Sequence, residues 1–468
     1  MRLPTLPVLA TVAITALALT TAGTAAASAT PAAAGSPAAA SGAKLWQASF
    51  TGAGRGAFGT GAAVSPDGSV LFTAGAAAKR VREAGGVAEE GTVLAYHAGT
   101  GTVLWRASYN PSQRSYSVFD ALALSPDGST VYATGGTAAA VGKHQSAVIV
   151  AYNAATGAPI WTNASAAPGP DRSIAVSPDG STLFVVTGAN ISGEGAGPDI
   201  VALNAATGAV RWTANPGTGS AYRIVASSDG STVFILGYNE SFTPIVAACD
   251  AATGVVRWTV TPAQLTPESI AVSPDASKVA ITGLDFGPSG NILRTVAYDA
   301  ATGTALWSKQ YKGPNGSSDG YAVTFSPDSA TVFAAGATRE AGVNNLYYVA
   351  ALAYHAATGV SVWQSTLPAF GLGTTWTDQI AVSPDGSRVF VTGVGSASSP
   401  VAFSTAALDA ATGAKLWALG HHVHGNQWRS FPTSIVVSPD GARVFVSGTL
   451  NSPTPNQNSS MATVAYSS

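Results

Sequence analysis

The sequence predicts an all-β protein, an eight-bladed β-propeller whose blades are four-stranded antiparallel sheets. Two alternating sequence motifs support this prediction. The first, Ser-Pro-Asp with one Ser-Ser-Asp variant, begins at Ser65, Ser125, Ser177, Ser227, Ser273, Ser326, Ser383 and Ser438. The second ends in a tryptophan, at Trp46, Trp105, Trp161, Trp212, Trp258, Trp307, Trp363 and Trp417. Repeats about 53 residues apart that hold four short strands are typical of propellers.

Each motif predicts a hairpin, and we letter the four strands of a repeat A to D in chain order. In Ser-Pro-Asp-Gly the proline presets φ, the aspartate favours a turn and the glycine accepts a positive φ, so this motif joins strands A and B. The segment AYDAATGTALW at 297–307 joins strands C and D. There Asp299 can bond the turn backbone, Gly303 relieves strain, and Trp307 lies on strand D. We assign the repeated tryptophans to packing between blades.

The two ends of the chain predict that the ring closes on itself. The segment GAKLW at 42–46 recurs at 413–417, and the final ATVAYSS corresponds to a strand C with no strand D after it. We therefore expect the propeller to span 43–468, with a last blade formed by 431–468 plus 43–50. Closure of this kind removes exposed sheet edges.

The N-terminus predicts export. Arg2 precedes an apolar stretch, 6–19, that is too short to span a bilayer comfortably, and small residues suited to cleavage follow. We assign 1–29 to a signal peptide and 30–42 to an Ala/Ser/Pro-rich linker. The expected location is extracellular, with no transmembrane anchor. Cys249 is the only cysteine, so no disulfide can form within the chain, and we expect it to be buried.

The composition limits the classes of partner. The formal net charge is −2 and only 10% of residues are charged, which argues against nucleic acid as a partner. We expect a monomer whose partner is a protein, a glycan or a small ligand.

These two motifs resemble two known repeat types. YDAATGTALW is similar to the tryptophan-docking repeat of the pyrroloquinoline quinone (PQQ) propellers, the quinoprotein-like superfamily. SPDGSRVFVTG resembles the repeat of bacterial WD40-like and YVTN-type propellers. The resemblance covers roughly 43–468 and implies the fold, since such repeats serve enzymes and scaffolds alike.

The resemblance also bears on cofactors. Quinoprotein dehydrogenases hold their quinone with a vicinal disulfide, a tryptophan floor and a liganded calcium ion. A chain with one cysteine cannot form that disulfide. We therefore expect no cofactor, neither PQQ nor calcium. A non-enzymatic relative, the bacterial outer-membrane assembly scaffold, shares the eight-bladed form, but it is a lipoprotein and this chain lacks the lipid-acceptor cysteine.

Candidate binding residues lie where the repeats differ, in the B–C and D–A loops of one face. Trp376 and Trp428, the tryptophans outside the repeat, could form an aromatic platform, or could pack a long loop onto the disc. His422 and His424 share one side of an extended segment and could ligate a metal, although a solvated polar loop is the simpler interpretation. The sequence leaves open whether these two histidines bind a metal ion.

A second candidate site is the rim of the central channel, five residues before each Ser-Pro-Asp serine. These positions are Thr60, Asp120, Arg172, Tyr222, Glu268, Tyr321, Asp378 and Thr433. Of these, Asp120, Arg172, Glu268 and Asp378 are charged and could bind a ligand or a cation. The alternative is a hydrated rim with internal salt bridges.

Two functions remain open. The first is an exported, non-enzymatic propeller that acts as a binding or scaffold module through its variable loop face. The alternative is a quinoprotein-like or YVTN/lactonase-like enzyme with its active site at the channel mouth. We find no phosphate loop, nucleophile elbow or zinc-binding helix motif, and assign no catalytic residue.

Overall fold

A computed structural model describes residues 42–52, 56–80, 87–112, 115–139, 146–168, 171–187, 200–217, 219–239, 241–287, 290–314, 316–339, 347–367, 379–394, 403–421, 429–451 and 459–468. At 80, 87, 165–168, 171, 172, 187, 347, 394, 421, 429 and 430 only the backbone is described. Every regular element in this part of the chain is a β-strand. No helix there has the length and apolar character that crossing a bilayer requires.

The strands fall into groups of four, which we call units. Strand β1 (Lys44–Phe50) comes first in the chain. Unit 1 holds β2 (Ala57–Val64), β3 (Val70–Arg80), β4 (Val87–His97) and β5 (Val103–Tyr109). Unit 2 holds β6 (Tyr116–Leu124), β7 (Thr130–Ala138), β8 (Ser146–Asn153) and β9 (Pro159–Pro168). Unit 3 holds β10 (Asp171–Val176), β11 (Thr182–Thr187), β12 (Ile200–Asn204) and β13 (Val210–Ala214).

The remaining units follow the same plan. Unit 4 holds β14 (Ser220–Ala226), β15 (Thr232–Tyr238), β16 (Pro244–Asp250) and β17 (Val256–Val260). Unit 5 holds β18 (Leu265–Val272), β19 (Lys278–Gly287), β20 (Gly290–Asp299) and β21 (Ala305–Tyr311). Unit 6 holds β22 (Ser318–Phe325), β23 (Thr331–Arg339), β24 (Tyr347–His355) and β25 (Ser361–Leu367). Unit 7 holds β26 (Gln379–Val382), β27 (Arg388–Val394), β28 (Phe403–Asp409) and β29 (Lys415–His421). Unit 8 holds β30 (Arg429–Val437), β31 (Arg443–Asn451), β32 (Ser460–Ser467) and the early strand β1.

Within each unit, neighbouring strands pair antiparallel in the order first, second, third, fourth. In unit 8 the fourth place is taken by β1, which pairs antiparallel with β32 from Lys44 to Phe50. Units 1 and 2 are joined by one parallel bridge between Glu89 and Tyr116. The predicted all-β architecture of four-stranded antiparallel sheets is confirmed for the described residues, and it is that of a β-propeller-like fold.

The first strand of each unit lies on the inside of the molecule. Each first strand contacts the first strand of the next unit, and β30 contacts β2. The fourth strands stand at the sheet edges. Their residues alternate between exposed and buried, as in β1, where Trp46 is buried and its neighbours Leu45 and Gln47 are exposed. A half-buried edge strand explains this period of two.

The short turns of all units lie on one side, which we call the turn face. In unit 1 the Ser65 hydroxyl donates to Asp67 Oδ1 and accepts from Val70 N at 2.9 Å, while Asp67 Oδ1 accepts from Ser69 N at 3.0 Å. Ala98 N, in the second turn of the unit, donates to Ser69 O at 2.8 Å. Both turns of a unit therefore lie side by side. The opposite ends of the strands, where the connections between second and third strands and between units start, mark the other side, which we call the loop face.

The repeated tryptophans pack across the junctions between units. Trp105 Nε1 donates to Ala154 O of the next unit at 2.9 Å, and Trp212 Nε1 donates to Ala251 O at 3.1 Å. Seven of the eight rings make this bond to the corresponding alanine carbonyl, those of Trp46, Trp105, Trp161, Trp212, Trp258, Trp307 and Trp363. Buried clusters of aliphatic and aromatic side chains fill the same junctions, so the core lies between the sheets.

Candidate functional site

The rim positions predicted from the sequence coincide with β-bulges. The register of the first strand shifts at Thr60, Asp120, Arg172, Tyr222, Glu268, Tyr321 and Thr433. A bulge inserts one residue and re-aims its side chain. The rim residues are therefore set apart from the rest of their strands by local backbone geometry, which the spacing alone did not predict.

At six of these seven bulges, the residue before the bulge pairs with a glycine of the second strand. A Cβ placed on Gly283 would lie 2.0 Å from Thr266 O, and one on Gly135 would lie 2.0 Å from Val118 O. Gly75, Gly336 and Gly448 meet the first strand of their own units in the same way. At these five positions the glycine is thus required by the bulge opposite, a dependence that sequence analysis missed.

Three rim side chains bond the next unit. Thr60 Oγ1 donates to Phe119 O at 2.8 Å, and Thr433 Oγ1 donates to Gly59 O at 3.1 Å. The Tyr222 hydroxyl donates to Pro267 O. In each case the acceptor is the carbonyl just before the next bulge, so these three residues bind units together at the rim.

The charged rim residue with the most perturbed titration is Glu268. Burial raises the pKa of the Glu268 carboxyl to about 7; the Arg223 guanidinium acts against this rise and the Asp319 carboxylate adds to it. Arg223 follows the bulge of unit 4 and is 8% exposed. Burial also raises the pKa of Asp319, against hydrogen bonds from Asn291 and Tyr321 and the charge of Arg339. Two carboxyls and an arginine from three units thus influence one another.

Tyrosines enclose this group, which we call the rim cluster: Tyr222, Arg223, Tyr238, Glu268, Asn291, Asp319 and Tyr321. Tyr222 and Tyr238 stack with ring centroids 5.4 Å apart. Asn291 Nδ2 donates to Asp319 Oδ1 at 2.7 Å, and the Tyr321 hydroxyl donates to Asp319 Oδ2 at 3.3 Å. Burial raises the pKa of Tyr222 well above its ordinary value and that of Tyr238 to about 12, so both stay protonated donors at neutral pH.

Asp120 belongs to a second polar group, at the junction of units 1 and 2. Burial raises the pKa of Glu89, against a hydrogen bond from Tyr116. Burial, followed by the charge of Glu89, raises the pKa of Tyr116, and Asp120 contributes a smaller effect in the same direction. The structure therefore places Asp120 and Glu268 in different groups around the rim, each with carboxyls held in a partly desolvated setting.

Arg172 lies at the bulge of unit 3, and only its backbone is described. The other sequence candidates, Asp378, Trp376, His422, His424 and Trp428, lie outside the described residues. Sequence analysis missed Arg223 and Asp319, which stand one residue after and two residues before a predicted rim position. The polar residues that flank each rim position were the available signal.

The turn face offers a contrasting set of carboxylates. The aspartate of every Ser-Pro-Asp or Ser-Ser-Asp turn has a lowered pKa: Asp67, Asp127, Asp179, Asp229, Asp275, Asp328, Asp385 and Asp440. At Asp275 burial acts upward, but hydrogen bonds from Ser273 and Ser277 outweigh it and hold the pKa near 2. These acceptors are already saturated by their own turns.

The residues of this chain do not fit the quinone site of the dehydrogenases. Cys249 lies within β16, is 0% exposed and packs in the cluster that contains Phe184 and Ile224. Burial raises the pKa of its thiol to about 11. An inert thiol in the core cannot supply a vicinal disulfide at the rim. Among the described residues no group of three or more His, Cys, Asp or Glu side chains is arranged to hold a metal ion.

Comparison with known proteins extends this description. The chain resembles hydrazine synthase of Kuenenia stuttgartiensis at 15% sequence identity, with a TM-score of 0.49, over 72% of this chain and 95% of that one. A similarity at this level carries no argument about fold or function. No curated protein sequence matches significantly.

A family profile gives the decisive match. The profile described as "Outer membrane protein assembly factor BamB", a PQQ-type repeat, matches residues 89–168, 145–339 and 294–452. These matches span more than three quarters of the chain, and the predicted PQQ-like repeat is confirmed. By this match the chain belongs to the family of PQQ-like repeat proteins described as outer membrane protein assembly factor BamB.

Proposed function

We propose that this protein is an exported, non-enzymatic eight-bladed β-propeller that serves as a binding scaffold through its loop face. The observation that carries the proposal is the difference between the two faces. On the turn face, serine, aspartate and tryptophan side chains form hydrogen bonds within and between units. On the loop face, carboxyls remain desolvated and large aromatic side chains remain exposed.

Contacts between unit 8 and unit 1 support ring closure with eight blades. Trp46 of β1 donates from Nε1 to Ala98 O at 2.8 Å, as its counterparts do at other junctions. A Cβ placed on Gly68 would lie 3.4 Å from Pro439 Cδ, which matches the contact of Gly180 with Pro126. Thr433 bonds Gly59 O across the same junction. The contacts between unit 8 and unit 1 are thus of the same kinds as those at other junctions, which supports closure.

The family supports a scaffold role, since its description names an assembly factor. The description concerns that family's protein, and we extend only the idea of a non-enzymatic interaction module to this chain. Export rests on the sequence of the first 29 residues. Fractionation with N-terminal sequencing should find the protein outside the cell, beginning after Ala27 or Ala29, whereas a cytoplasmic protein beginning near Met1 would contradict export.

One observation favours the enzymatic alternative. A carboxyl whose pKa is about 7, as at Glu268, is suited to general acid–base chemistry at neutral pH. Incubation with PQQ and calcium, followed by an assay for dye-linked dehydrogenase activity, tests the quinoprotein version. Activity that depends on both additions would favour the enzyme, and inactivity is expected from the position of Cys249.

The scaffold proposal is tested with intact protein and two ligand sources. We would pan a phage-displayed library of random 12-residue peptides and screen a glycan array. We expect specific ligands whose binding is unaffected by substitution of exposed turn-face residues such as Thr100 and Thr253. A protein that selects nothing from either source, or whose ligands all depend on the turn face, would contradict the proposal.

A further inference from the structure

Two phenylalanines stand apart from the other exposed apolar side chains. Phe242 is 67% exposed and Phe286 is 69% exposed, the highest values among the large apolar residues of the described chain. The other exposed members, such as Val103 and Leu104, lie on fourth strands or in the turns before them. Phe242 instead lies in the connection between β15 and β16 of unit 4, and Phe286 lies near the end of β19 in unit 5; both are on the loop face.

The backbone at Phe242 is strained. Its φ is 57°, in the left-handed region, which is unfavourable for a non-glycine residue. The turn is held by Asn239, whose Oδ1 accepts from Ser241 N and Thr243 N, both at 2.9 Å, while Phe242 N donates to Asn239 O. The residue is 67% exposed, so burial in the core does not explain it. Retained strain beside an exposed aromatic points to recognition.

Phe286 lies near the end of β19, in the hairpin that β19 forms with β20. It pairs with Asn291 across the β19–β20 ladder, and Asn291 Nδ2 donates to Asp319 of unit 6 at 2.7 Å. A Cβ on Gly290 would lie 3.1 Å from Ser317 Cβ, so the tip rests on the connection between units 5 and 6. The hairpin that carries Phe286 therefore contacts unit 6 and the segment that precedes it.

The charged residues of units 5 and 6, and of the segment between them, differ in exposure. Lys312 and Arg339 are exposed. Arg339 N donates to Ser317 O at 3.1 Å, which places it beside the hairpin tip, and its charge acts on Asp319. The carboxylates are less accessible: Asp285 is 4% exposed and bonded to Arg294 and Gln310, while Glu268 and Asp319 are half-buried. A ligand approaching this area therefore meets aromatic rings and cations first.

We propose that Phe242, Phe286, Lys312 and Arg339, the aromatic–cationic patch, bind an extended segment of a partner protein in which apolar side chains are flanked by carboxylates. This inference rests on the proposed scaffold function and names its partner class. Aromatic and arginine side chains are typical anchors of protein interfaces, and exposed cations complement carboxylates. A peptide can bridge the half-buried carboxyls with backbone N–H groups. An anionic membrane surface cannot, and would place like charges against them.

The test compares the panned peptides on the wild-type protein and on matched variants. The patch variant combines Phe242→Asn with Phe286→Ser. Asparagine tolerates a positive φ, so this variant should melt no lower than the wild type. The control variant combines Val103→Ser with Leu104→Ser, two exposed apolar residues of the turn side. A third variant combines Lys312→Glu with Arg339→Glu.

We expect enriched peptides that are rich in Asp or Glu and in Phe, Trp or Leu. Their affinity should fall at least about tenfold on the patch variant and on the charge variant, and stay unchanged on the control. Peptides without this bias, or ones that bind the patch variant equally well, would overturn the inference while leaving the scaffold proposal intact. Binding to anionic vesicles in place of peptides would also overturn it. If no ligand of any kind is selected, both proposals fail.

Discussion

The two faces of the molecule treat carboxylates in opposite ways. On the turn face, eight aspartates accept bonds from neighbouring hydroxyls and backbone amides, and their pKa values are lowered. On the loop face, burial raises the pKa values of Glu89, Glu268 and Asp319. The polar groups of the turn face are hydrogen-bonded within their own turns. The loop face holds partly desolvated carboxyls that a ligand could still stabilise. The repeat therefore builds the turn face, and our proposal assigns recognition to the loop face.

Removal of the closing strand β1 should cause the largest loss of stability. Trp46→Ala should lower the free energy of unfolding by about 3–5 kcal/mol, because the ring is buried and bonds Ala98 across the junction. Deletion of β1 should lower it further and expose the edge of β32. Leu45→Ala, an exposed neighbour, is the control. Denaturant unfolding measures all three, and a deletion variant that melts like the wild type would refute closure.

The next effect concerns how tightly the turn face is packed. Gly254 has a φ of 75°, and a Cβ there would lie 2.5 Å from Trp212 Cε3. Gly217 has a φ of 88°, but nothing lies within 4 Å of its Cβ position. Gly254→Ala should therefore cost about 3 kcal/mol from strain plus collision, and Gly217→Ala about 1 kcal/mol from strain alone. Equal losses in thermal unfolding would show that the tryptophan contact does not constrain the turn.

A smaller effect should test the bulges that shape the rim. Gly283→Ala would place a Cβ 2.0 Å from the Thr266 carbonyl and should cost about 1–3 kcal/mol. Gly61→Ala is the matched control, because its nearest neighbour would be 3.6 Å away and its φ is unstrained. Unfolding curves of the two variants decide the point. If both are neutral, the glycine opposite the bulge is not required.

The smallest effect should be one of pH. Because the folded-state pKa of Glu268 is raised to about 7, the native state holds an extra proton between about pH 4.5 and 7, and stability falls as pH rises through that window. Glu268→Gln should flatten this decline, because the amide does not titrate in this window. The turn aspartates act in the opposite sense: their contribution is present above about pH 4 and lost in acid. Melting temperatures across pH 3–9 measure both, and a Glu268→Gln profile that matches the wild type would contradict the assignment.

Much of the fold could be predicted because the repeat is local. Ser-Pro-Asp-Gly determines its own turn through bonds among residues such as Ser65, Asp67 and Val70. The recurrence of GAKLW predicted a role for the first strand, which does pair with β32. The bulges were not predicted, because their partner is a glycine one strand away, such as Gly283 for Glu268. Phe242 was passed over because a single phenylalanine in a loop has no pattern, and only its exposure and positive φ distinguish it.

The claim that recognition belongs to the loop face can be tested most directly by blocking one face at a time. Ser241→Cys and Ala252→Cys place single thiols on exposed positions of unit 4, the first on the loop face and the second on the turn face. The native Cys249 should stay unreactive, since it is buried and its pKa is raised to about 11. Each variant would be coupled to a bulky maleimide polymer and titrated with the ligands selected on intact protein. We predict that the label at 241 weakens binding at least about tenfold, or about 1.4 kcal/mol, and that the label at 252 leaves it unchanged. Loss of binding with the label at 252, and none with the label at 241, would contradict the account.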